Sequence, residues 1–242
     1  MNTKIKIYSF FHNIFQLFLL PVISWQGKIL RERALKLPEA SGVRKGTEGS
    51  GPHNLKVLII GDSSACGVGV QYVNDSLAGH LVKLLSKTNQ CNWKIIAKSG
   101  LRTSDLISLL YVQNTLKFDI AVVSIGVNDI TSGVSCEKWN RELIKLNFLL
   151  RTKFEIKKII FCGMPPFGRL RIIPNPLRLV LFLKANLFEE LLFNFCREDP
   201  LCEYVRINLP LGEEMIAEDG FHPSNHFYKF WASLINKKIS EN

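Results

Sequence analysis

Three residues in polar turns of this chain could perform acyl transfer, and the first of them is Ser63. It directly follows an apolar run at 55–60 that is rich in β-branched residues. A serine hydroxyl attacks an acyl carbonyl only when a base removes its proton, and a neutral imidazole suits that task near pH 7. His222 is the candidate base. Asp219, three residues earlier, can orient the imidazole and stabilise the imidazolium that forms.

Each polar turn also has an ordinary structural interpretation when it is taken alone. Asp219 could be only a loop acid, and His222 only a residue at the entry of the last helix. Gly100 and Asn128 follow two further predicted strands, where a glycine reverses the chain and an asparagine forms an Asx turn. His226 is the main rival to His222 as base, but it has no carboxylate three residues before it. For any one residue alone the ordinary interpretation is favoured.

The chain lacks complete motifs for a nucleotide cofactor, for a zinc site and for the α/β-hydrolase fold. Gly67-Val68-Gly69 begins like a dinucleotide fingerprint but does not complete it, and no Walker lysine follows. The G-x-S-x-G turn of ordinary α/β-hydrolases is missing. The six cysteines have no zinc-like spacing and are expected to be reduced, although Cys196 and Cys202 are close enough in sequence to invite a disulfide. We therefore expect neither a metal nor an organic cofactor.

The elements that must position these turns alternate between strand and helix. Strands are predicted at 55–60, 93–97, 118–125, 158–162 and 203–207, and helices at 75–87, 103–110, 137–151, 177–195 and 224–238. This alternation predicts a three-layer α/β/α sandwich around a five-stranded parallel sheet. Ligands bind beyond the carboxyl ends of the strands in such a sheet, and the polar turns fall there or just before the last helix.

In order and position, the polar turns resemble the four sequence blocks of the SGNH, or GDSL-type, hydrolases. The blocks are Gly-Asp-Ser at 61–63, Gly100, Gly-x-Asn-Asp at 126–129 and Asp-Gly-Phe-His at 219–222. The resemblance covers about residues 55–239. One departure is Ser64, which stands where the family usually has a leucine that is not a catalytic element.

The resemblance implies a flavodoxin-like fold and a serine esterase that forms an acyl-enzyme on Ser63. It assigns the oxyanion contacts to the backbone N–H groups of Ser63 and Gly100 and to the side-chain amide of Asn128. The apolar helix at 177–195 and the basic leading segment favour a lysophospholipid or another acyl ester as substrate. The alternatives are a carbohydrate O-deacetylase and a catalytically idle acyl- or lipid-binding protein on the same scaffold.

The charge distribution indicates an anionic partner. The formal net charge is +10, and residues 1–52 contain eight Lys or Arg against three Glu. Neither an RNA-binding signature nor a zinc-finger spacing accompanies this charge, so an anionic membrane surface is favoured over nucleic acid.

Residues 1–37 are predicted to form an amphipathic helix in the membrane interface, followed by a linker at 38–54 and the hydrolase domain at 55–242. Polar residues and a proline interrupt the window of about 20 apolar residues that a bilayer span requires, and no small-residue cleavage site follows it. The side chains expected to enter lipid are Phe10, Phe11, Phe15, Phe18, Leu19 and Trp25. We expect a cytoplasmic protein, peripheral on the inner face of the membrane. The alternatives are an uncleaved N-terminal anchor and a helix that packs on the domain's own surface.

Overall fold

A computed structural model describes residues 3–207 and 212–241 of the protein, apart from the side chain of Glu213. Its described part contains one sheet of six strands in the order β1-β3-β2-β4-β5-β6. The strands are β1 (Lys45–Glu48), β2 (His53–Gly61), β3 (Asn89–Ala97), β4 (Ile120–Ser124), β5 (Lys158–Cys162) and β6 (Cys202–Val205). The neighbours among β2 to β6 are parallel, whereas β1 pairs with β3 in the antiparallel sense. The predicted parallel sheet is confirmed, with one added edge strand.

Helices cover both faces of the sheet. They are α1 (Thr3–Arg33), α2 (Leu77–Leu85), α3 (Thr103–Tyr111), α4 (Val127–Thr131), α5 (Cys136–Lys153), α6 (Leu177–Arg197) and α7 (Asn225–Ser240). Val57 and Ile59 of β2 join the core formed with α2 and α7, while Leu58 and Ile60 join the core formed with α3, α5 and α6. Successive strand side chains point to opposite faces, so a strand covered on both sides must be apolar throughout. The three-layer prediction is therefore confirmed.

The register of the central strands brings the site loops to one edge. Gly61 at the end of β2 lies opposite Ala97 of β3 and Ser124 of β4. The segments that follow these strands contain Ser63, Gly100 and Asn128. They therefore begin side by side, as the carboxyl ends of parallel strands do.

The prediction of a linker at 38–54 is partly wrong, because strand β1 lies within these residues. All four residues of β1 are exposed, so no buried apolar pattern marked them as a strand. The Glu39 carboxylate accepts hydrogen bonds from the Ser99 backbone N–H at 2.7 Å and from Arg44 at 2.5 Å. This segment is therefore fixed against the sheet beside the loop that contains Gly100.

The start of α2 differs from prediction, whereas the cysteines are reduced as expected. Helix α2 begins at Leu77 rather than at 75, because the Ser76 hydroxyl caps it by accepting from the Gly79 N–H while Asp75 lies in a preceding 3₁₀ turn. Cys196 and Cys202 are buried free thiols and do not form a disulfide.

Helix α1 continues without a break through Pro21 and packs antiparallel on α6. At one end Lys4 forms an ion pair with Glu190 at 3.4 Å. At the other end the Gln26 side chain donates to the Asn175 carbonyl at 2.7 Å and accepts from the Leu177 N–H at 3.1 Å. The face toward the domain is buried at Ile5, Ser9, His12 and Ile23. One side of this helix therefore packs on the domain's own surface, as one of the alternatives for this segment predicted.

The other side of α1 is an exposed apolar surface. Phe11, Phe18 and Trp25 are 61%, 82% and 63% exposed, whereas Leu19 packs partly buried against the core. Within 3–207 and 212–241, α1 is the one helix whose length and hydropathy would suffice to cross a bilayer. Hydropathy and length alone therefore permit a spanning or an interfacial position.

Candidate active site

The Ser63 loop depends on the close approach of β2 and β4. Gly61 has φ +153°, and a Cβ at this position would lie 1.9 Å from the Ser124 carbonyl oxygen. A glycine is therefore required where the chain leaves the sheet. Beyond it, the Cys66 N–H donates to the Asp62 carbonyl at 3.0 Å, and the Val68 N–H donates to the Ser63 carbonyl at 3.0 Å.

Helix α7 holds the same loop from the other side. The buried Tyr228 hydroxyl donates to the Val68 carbonyl at 2.7 Å. Gly69 touches the turn that precedes α7, since a Cβ there would lie 2.2 Å from the Pro223 carbonyl oxygen. These contacts bring the Ser63 loop against the segment that contains Asp219 and His222.

Ser63, His222 and Asp219 form a continuous chain of hydrogen-bond contacts. His222 Nε2 lies 2.9 Å from Ser63 Oγ, and His222 Nδ1 lies 2.5 Å from Asp219 Oδ2. The other carboxylate oxygen of Asp219 accepts from the backbone N–H groups of Phe221 and His222, each at 2.9 Å. With its proton on Nδ1, the imidazole presents an unprotonated Nε2 to the serine hydroxyl.

The electrostatics of Asp219 suit a charged partner for the imidazole. Burial raises the pKa of this carboxyl, but the hydrogen bonds from the His222 ring and from two backbone N–H groups outweigh burial, so its pKa is lowered. Asp219 is therefore an ionised acceptor at neutral pH.

Asp62 is in the opposite situation and was given no role by the sequence analysis. Its carboxyl is buried beside Ser63, and burial raises its pKa to about 7. It accepts from the Ser64 N–H and from the Asn128 side-chain amide, both at 3.2 Å. The Gly-Asp-Ser block was the sequence signal for this position, but the contact with Asn128 depends on the fold.

The two backbone groups assigned to the oxyanion are available. The N–H groups of Ser63 and Gly100 have no hydrogen-bond partner among the residues that the structure describes. Gly100 has φ +82°, and a Cβ on it would meet no heavy atom within 4 Å. There is thus open space in front of this part of the loop.

Asn128 lies between the two loops, with its amide already engaged. Its Nδ2 donates to Asp62 Oδ2 at 3.2 Å and to the Leu101 carbonyl at 3.0 Å. A side-chain amide has two N–H donors, so one of these contacts must be shared or released if Asn128 is to bind an oxyanion. The structure places Asn128 next to Ser63 and Gly100 without leaving a free donor.

The backbone of α4, which contains Asn128, is fixed by a buried polar network. Asp129 accepts from both the N–H and the hydroxyl of Thr103, at 3.0 and 2.9 Å. The Trp139 indole in turn donates to the Thr103 hydroxyl at 2.9 Å. Burial raises the pKa of Asp129 to about 6. In the sequence Asp129 stands out only as part of a block, because its partners come from α3 and α5.

Two cavities reach the site. A narrow one of about 50 Å³ is lined by Ser63 and His222 together with apolar residues that include Pro165, Leu170 and Phe221. A larger one of about 610 Å³ lies between α1, α4 and α6 and is lined by Asn128 and His222 at one side. His226, the rival base, is exposed at the start of α7. No group of three or more His, Cys, Asp or Glu that could hold a metal occurs in the described part of the chain.

Comparison with known proteins gives one family and one fold. Residues 59–230 match the sequence model of the GDSL-like lipase/acylhydrolase family. No curated protein matches the sequence. The structure is similar to that of a member of the lipolytic protein G-D-S-L family from Veillonella parvula, with a TM-score of 0.59, 17% identity, and coverage of 78% of this chain and 100% of that chain.

Two esterase structures are also similar. One is the esterase EstA from Pseudoalteromonas sp. inhibited by monoethylphosphonate, with a TM-score of 0.58, 14% identity, and coverage of 77% of this chain and 97% of that chain. The other is Axe2, an acetylxylan esterase from Geobacillus stearothermophilus, with a TM-score of 0.57, 18% identity, and coverage of 79% and 95%. At these identities the likeness establishes the fold alone.

Proposed function

Because the chain belongs to the GDSL-like lipase/acylhydrolase family, we propose that it is a serine esterase that cleaves carboxylic esters through an acyl-enzyme on Ser63. The observation that carries this proposal is the hydrogen-bonded series from Ser63 through His222 to Asp219. It combines a nucleophile, a base and a charged group that orients the base.

In the proposed reaction, Ser63 Oγ attacks the ester carbonyl carbon while His222 Nε2 takes the hydroxyl proton. Asp219 stabilises the resulting imidazolium. When the tetrahedral intermediate collapses, the bond to the leaving oxygen breaks and Nε2 returns the proton to the alcohol. Water then attacks the acyl-enzyme, with His222 again as base, to release the carboxylic acid and restore the Ser63 hydroxyl.

The negative charge that develops on the carbonyl oxygen requires fixed donors. The N–H groups of Ser63 and Gly100, which have no partner within the described part of the chain, support a two-donor oxyanion site. Asn128 would supply a third donor by turning one N–H away from Asp62 or Leu101. Removal of one such donor typically lowers the rate about a hundred- to a thousandfold.

A fluorophosphonate probe tests the nucleophile directly, because it transfers its phosphonyl group to an activated serine with loss of fluoride. We expect a single adduct on Ser63, mapped by mass spectrometry, and no labelling of the Ser63→Ala variant. Ser64 is the internal control, since it is the neighbouring hydroxyl in the same cavity. An adduct on Ser64, or none at all, would contradict the assignment.

For the substrate, we propose a lysophospholipid or another ester with a medium or long acyl chain. The cavity of about 50 Å³ at Ser63 holds only a few water molecules, whereas the larger cavity beside it is lined mainly by apolar side chains. An alkyl chain gains free energy with each methylene that it buries there. The rival is carbohydrate O-deacetylation, which is supported by the fold similarity to an acetylxylan esterase and to a carbohydrate esterase family 2 enzyme.

A series of p-nitrophenyl esters with chains of two to about twelve carbons separates these substrates. We expect kcat/KM to rise with chain length beyond acetate, because each added methylene contributes about 0.8 kcal/mol when it is buried. Initial rates are compared below the critical micelle concentration of each ester. An optimum at acetate with no activity on longer chains would exclude the lipid substrate.

We also propose that α1 holds the protein on an anionic membrane surface, with the enzyme on the cytoplasmic side. Its exposed aromatic side chains offer apolar surface for insertion, and Lys28, Arg31 and Arg33 near its end offer positive charge. Burial of aromatic area and attraction to acidic lipid act together in such a helix. An uncleaved anchor that crosses the bilayer is the alternative that the helix length permits.

The triple variant Phe11→Ser, Phe18→Ser, Trp25→Ser is expected to lower binding to anionic liposomes about a hundredfold or more, because three exposed aromatic side chains no longer enter the interface. Flotation of full-length protein measures this, and high salt should partly release the wild type. Phe148→Ser is the matched control, since Phe148 of α5 is also exposed, at 65%. Equal flotation of the triple variant and the wild type would refute the interfacial role.

A further inference from the structure

The cavity between α1 and the domain is continuous with the catalytic residues. Its volume of about 610 Å³ lies in the usual range for ligand sites, and Asn128, Asp219 and His222 form part of its wall. Most of the remaining wall is apolar and includes Leu20, Ile23, Leu30, Ile130, Val180 and Leu181. Helix α1 thus supplies one side of a site whose other side carries the candidate base.

Lys184 places a buried amino group at the wall of this cavity, and burial lowers the pKa of that group, so a nearby anion would stabilise its charged form. It lies on the face of α6 that also carries Val180 and Leu181, and it is only 4% exposed. The ammonium group has neither a hydrogen bond nor an ion pair within the described part of the chain. The ring of Phe188 lies beneath this group, with its centroid 5.9 Å from Nζ. An amino group that faces a largely apolar cavity without a direct charged partner favours a site that an anion completes.

The groups that face Lys184 do not neutralise it by direct contact. Asp129 interacts with it over a distance greater than an ion pair, and the Cys136 thiol and the His12 imidazole lie on neighbouring elements. The pKa of His12 is lowered, chiefly by burial and also by Lys184. Asp129 Oδ1 is buried and has no hydrogen-bond partner among residues 3–207 and 212–241.

Other charges around the cavity also favour an anion. Arg31 of α1 also lines it, with its guanidinium close to Gly27 at an exposed end of the cavity. Asp219 is the one acidic residue among the described lining residues, and its charge is already shared with His222. An anion at Lys184 would therefore meet the amino group and an apolar wall.

We propose that this cavity binds the anionic group of the substrate and that Lys184 determines specificity for it. This rests on the proposed esterase function. The ligand class is an amphiphile with a single acyl chain whose ester alcohol also carries a phosphate. Lys184 binds the phosphate oxygens, the apolar wall contacts the alkyl part, and the ester carbonyl reaches Ser63.

The test compares a lysophosphatidic acid with the monoacylglycerol of the same chain, both as monomers. The wild type is expected to show a KM at least about tenfold lower for the phosphate-bearing ester, since a charge-assisted contact of this kind changes binding by one to two powers of ten. Lys184→Met should remove that preference by raising KM for the phosphate-bearing ester at least about tenfold. Lys184→Arg should restore part of the preference, and Lys145→Met, at an exposed lysine of α5, should leave it unchanged.

A second measurement separates the cavity from the catalysis. Dodecyl phosphate should bind the Ser63→Ala protein by calorimetry, and Lys184→Met in the same background should bind it at least about tenfold more weakly. This binding does not require turnover. A wild type that hydrolyses no ester would therefore contradict the proposed esterase function but not the anion site. Equal binding of dodecyl phosphate with and without Lys184, in variants with matching thermal unfolding, would overturn the anion site.

Discussion

Alanine in place of Ser63 is expected to lower kcat for a soluble p-nitrophenyl ester by about 10⁵- to 10⁶-fold, and His222→Ala is expected to do the same. Without the hydroxyl no acyl-enzyme forms, and without the imidazole 2.9 Å away no group removes the hydroxyl proton. The double variant should be hardly slower than either single one, because the two side chains act in one step. Steady-state rates for the three variants, on protein of matched purity, measure this relation.

The control for this pair is His226→Ala. His226 is exposed on α7 and lies outside the contact chain, so its loss should change kcat by less than about twofold. Thermal unfolding of every variant establishes that each is folded at the assay temperature. If the losses from Ser63→Ala and His222→Ala multiply, or if His226→Ala is the inactive variant, then His222 does not act on Ser63 as its base.

The elements of the fold that could be predicted are those with a local signal. Strands β2, β4 and β5 are covered on both faces, so each appears in the sequence as a continuous apolar run with a polar turn after it. Strand β1 has only exposed residues, and its pairing with β3 depends on backbone groups that the sequence does not distinguish. The five-residue helix α4 is likewise too short for a periodic pattern.

The same distinction applies to the site. Asp219 and His222 lie three residues apart, so their shared role has a local signal, and Ser63 could be joined to them by family resemblance. The contact between Asp62 and Asn128 spans 66 residues and exists only because β2 and β4 are neighbours. Lys184 is a single lysine in an apolar helix, and nothing in its sequence separates a buried cation from one that reaches solvent.

Helix α1 packs on the domain with one side and exposes apolar residues on the other, and its insertion into lipid is a proposal. A lipid-facing helix and a helix packed on the domain were alternatives in the sequence, because both need apolar residues. In the structure Ile5 and Ile23 face the core while Phe18 and Trp25 face outward. Both sides of the helix carry apolar residues, so the sequence pattern does not distinguish the side that faces the domain from the side that faces outward.

Replacement of Asn128 by alanine is expected to lower kcat about a hundred- to a thousandfold with little change in KM. The ground-state ester carbonyl needs few hydrogen bonds, whereas the oxyanion of the intermediate needs all its donors, so the loss appears in the transition state. The measurement is the full dependence of rate on the concentration of a short soluble ester. Ser63 and His222 remain in place, so the fluorophosphonate probe should still label the variant, more slowly.

A purely structural role for Asn128 predicts a different pattern, because its amide also ties Asp62 to the Leu101 carbonyl. Asp62→Asn separates the two roles. It keeps the side-chain shape and one oxygen acceptor, which serves Asn128 while the acceptor of the Ser64 N–H is lost. Like the protonated form of this carboxyl, whose pKa burial raises to about 7, it carries no negative charge. We expect Asp62→Asn to lower kcat less than about tenfold, since the donors to the oxyanion are unchanged. If Asp62→Asn and Asn128→Ala lose the same activity and the same thermal stability, the Asn128 amide supports the loop rather than the oxyanion. The oxyanion would then be bound by the backbone N–H groups of Ser63 and Gly100.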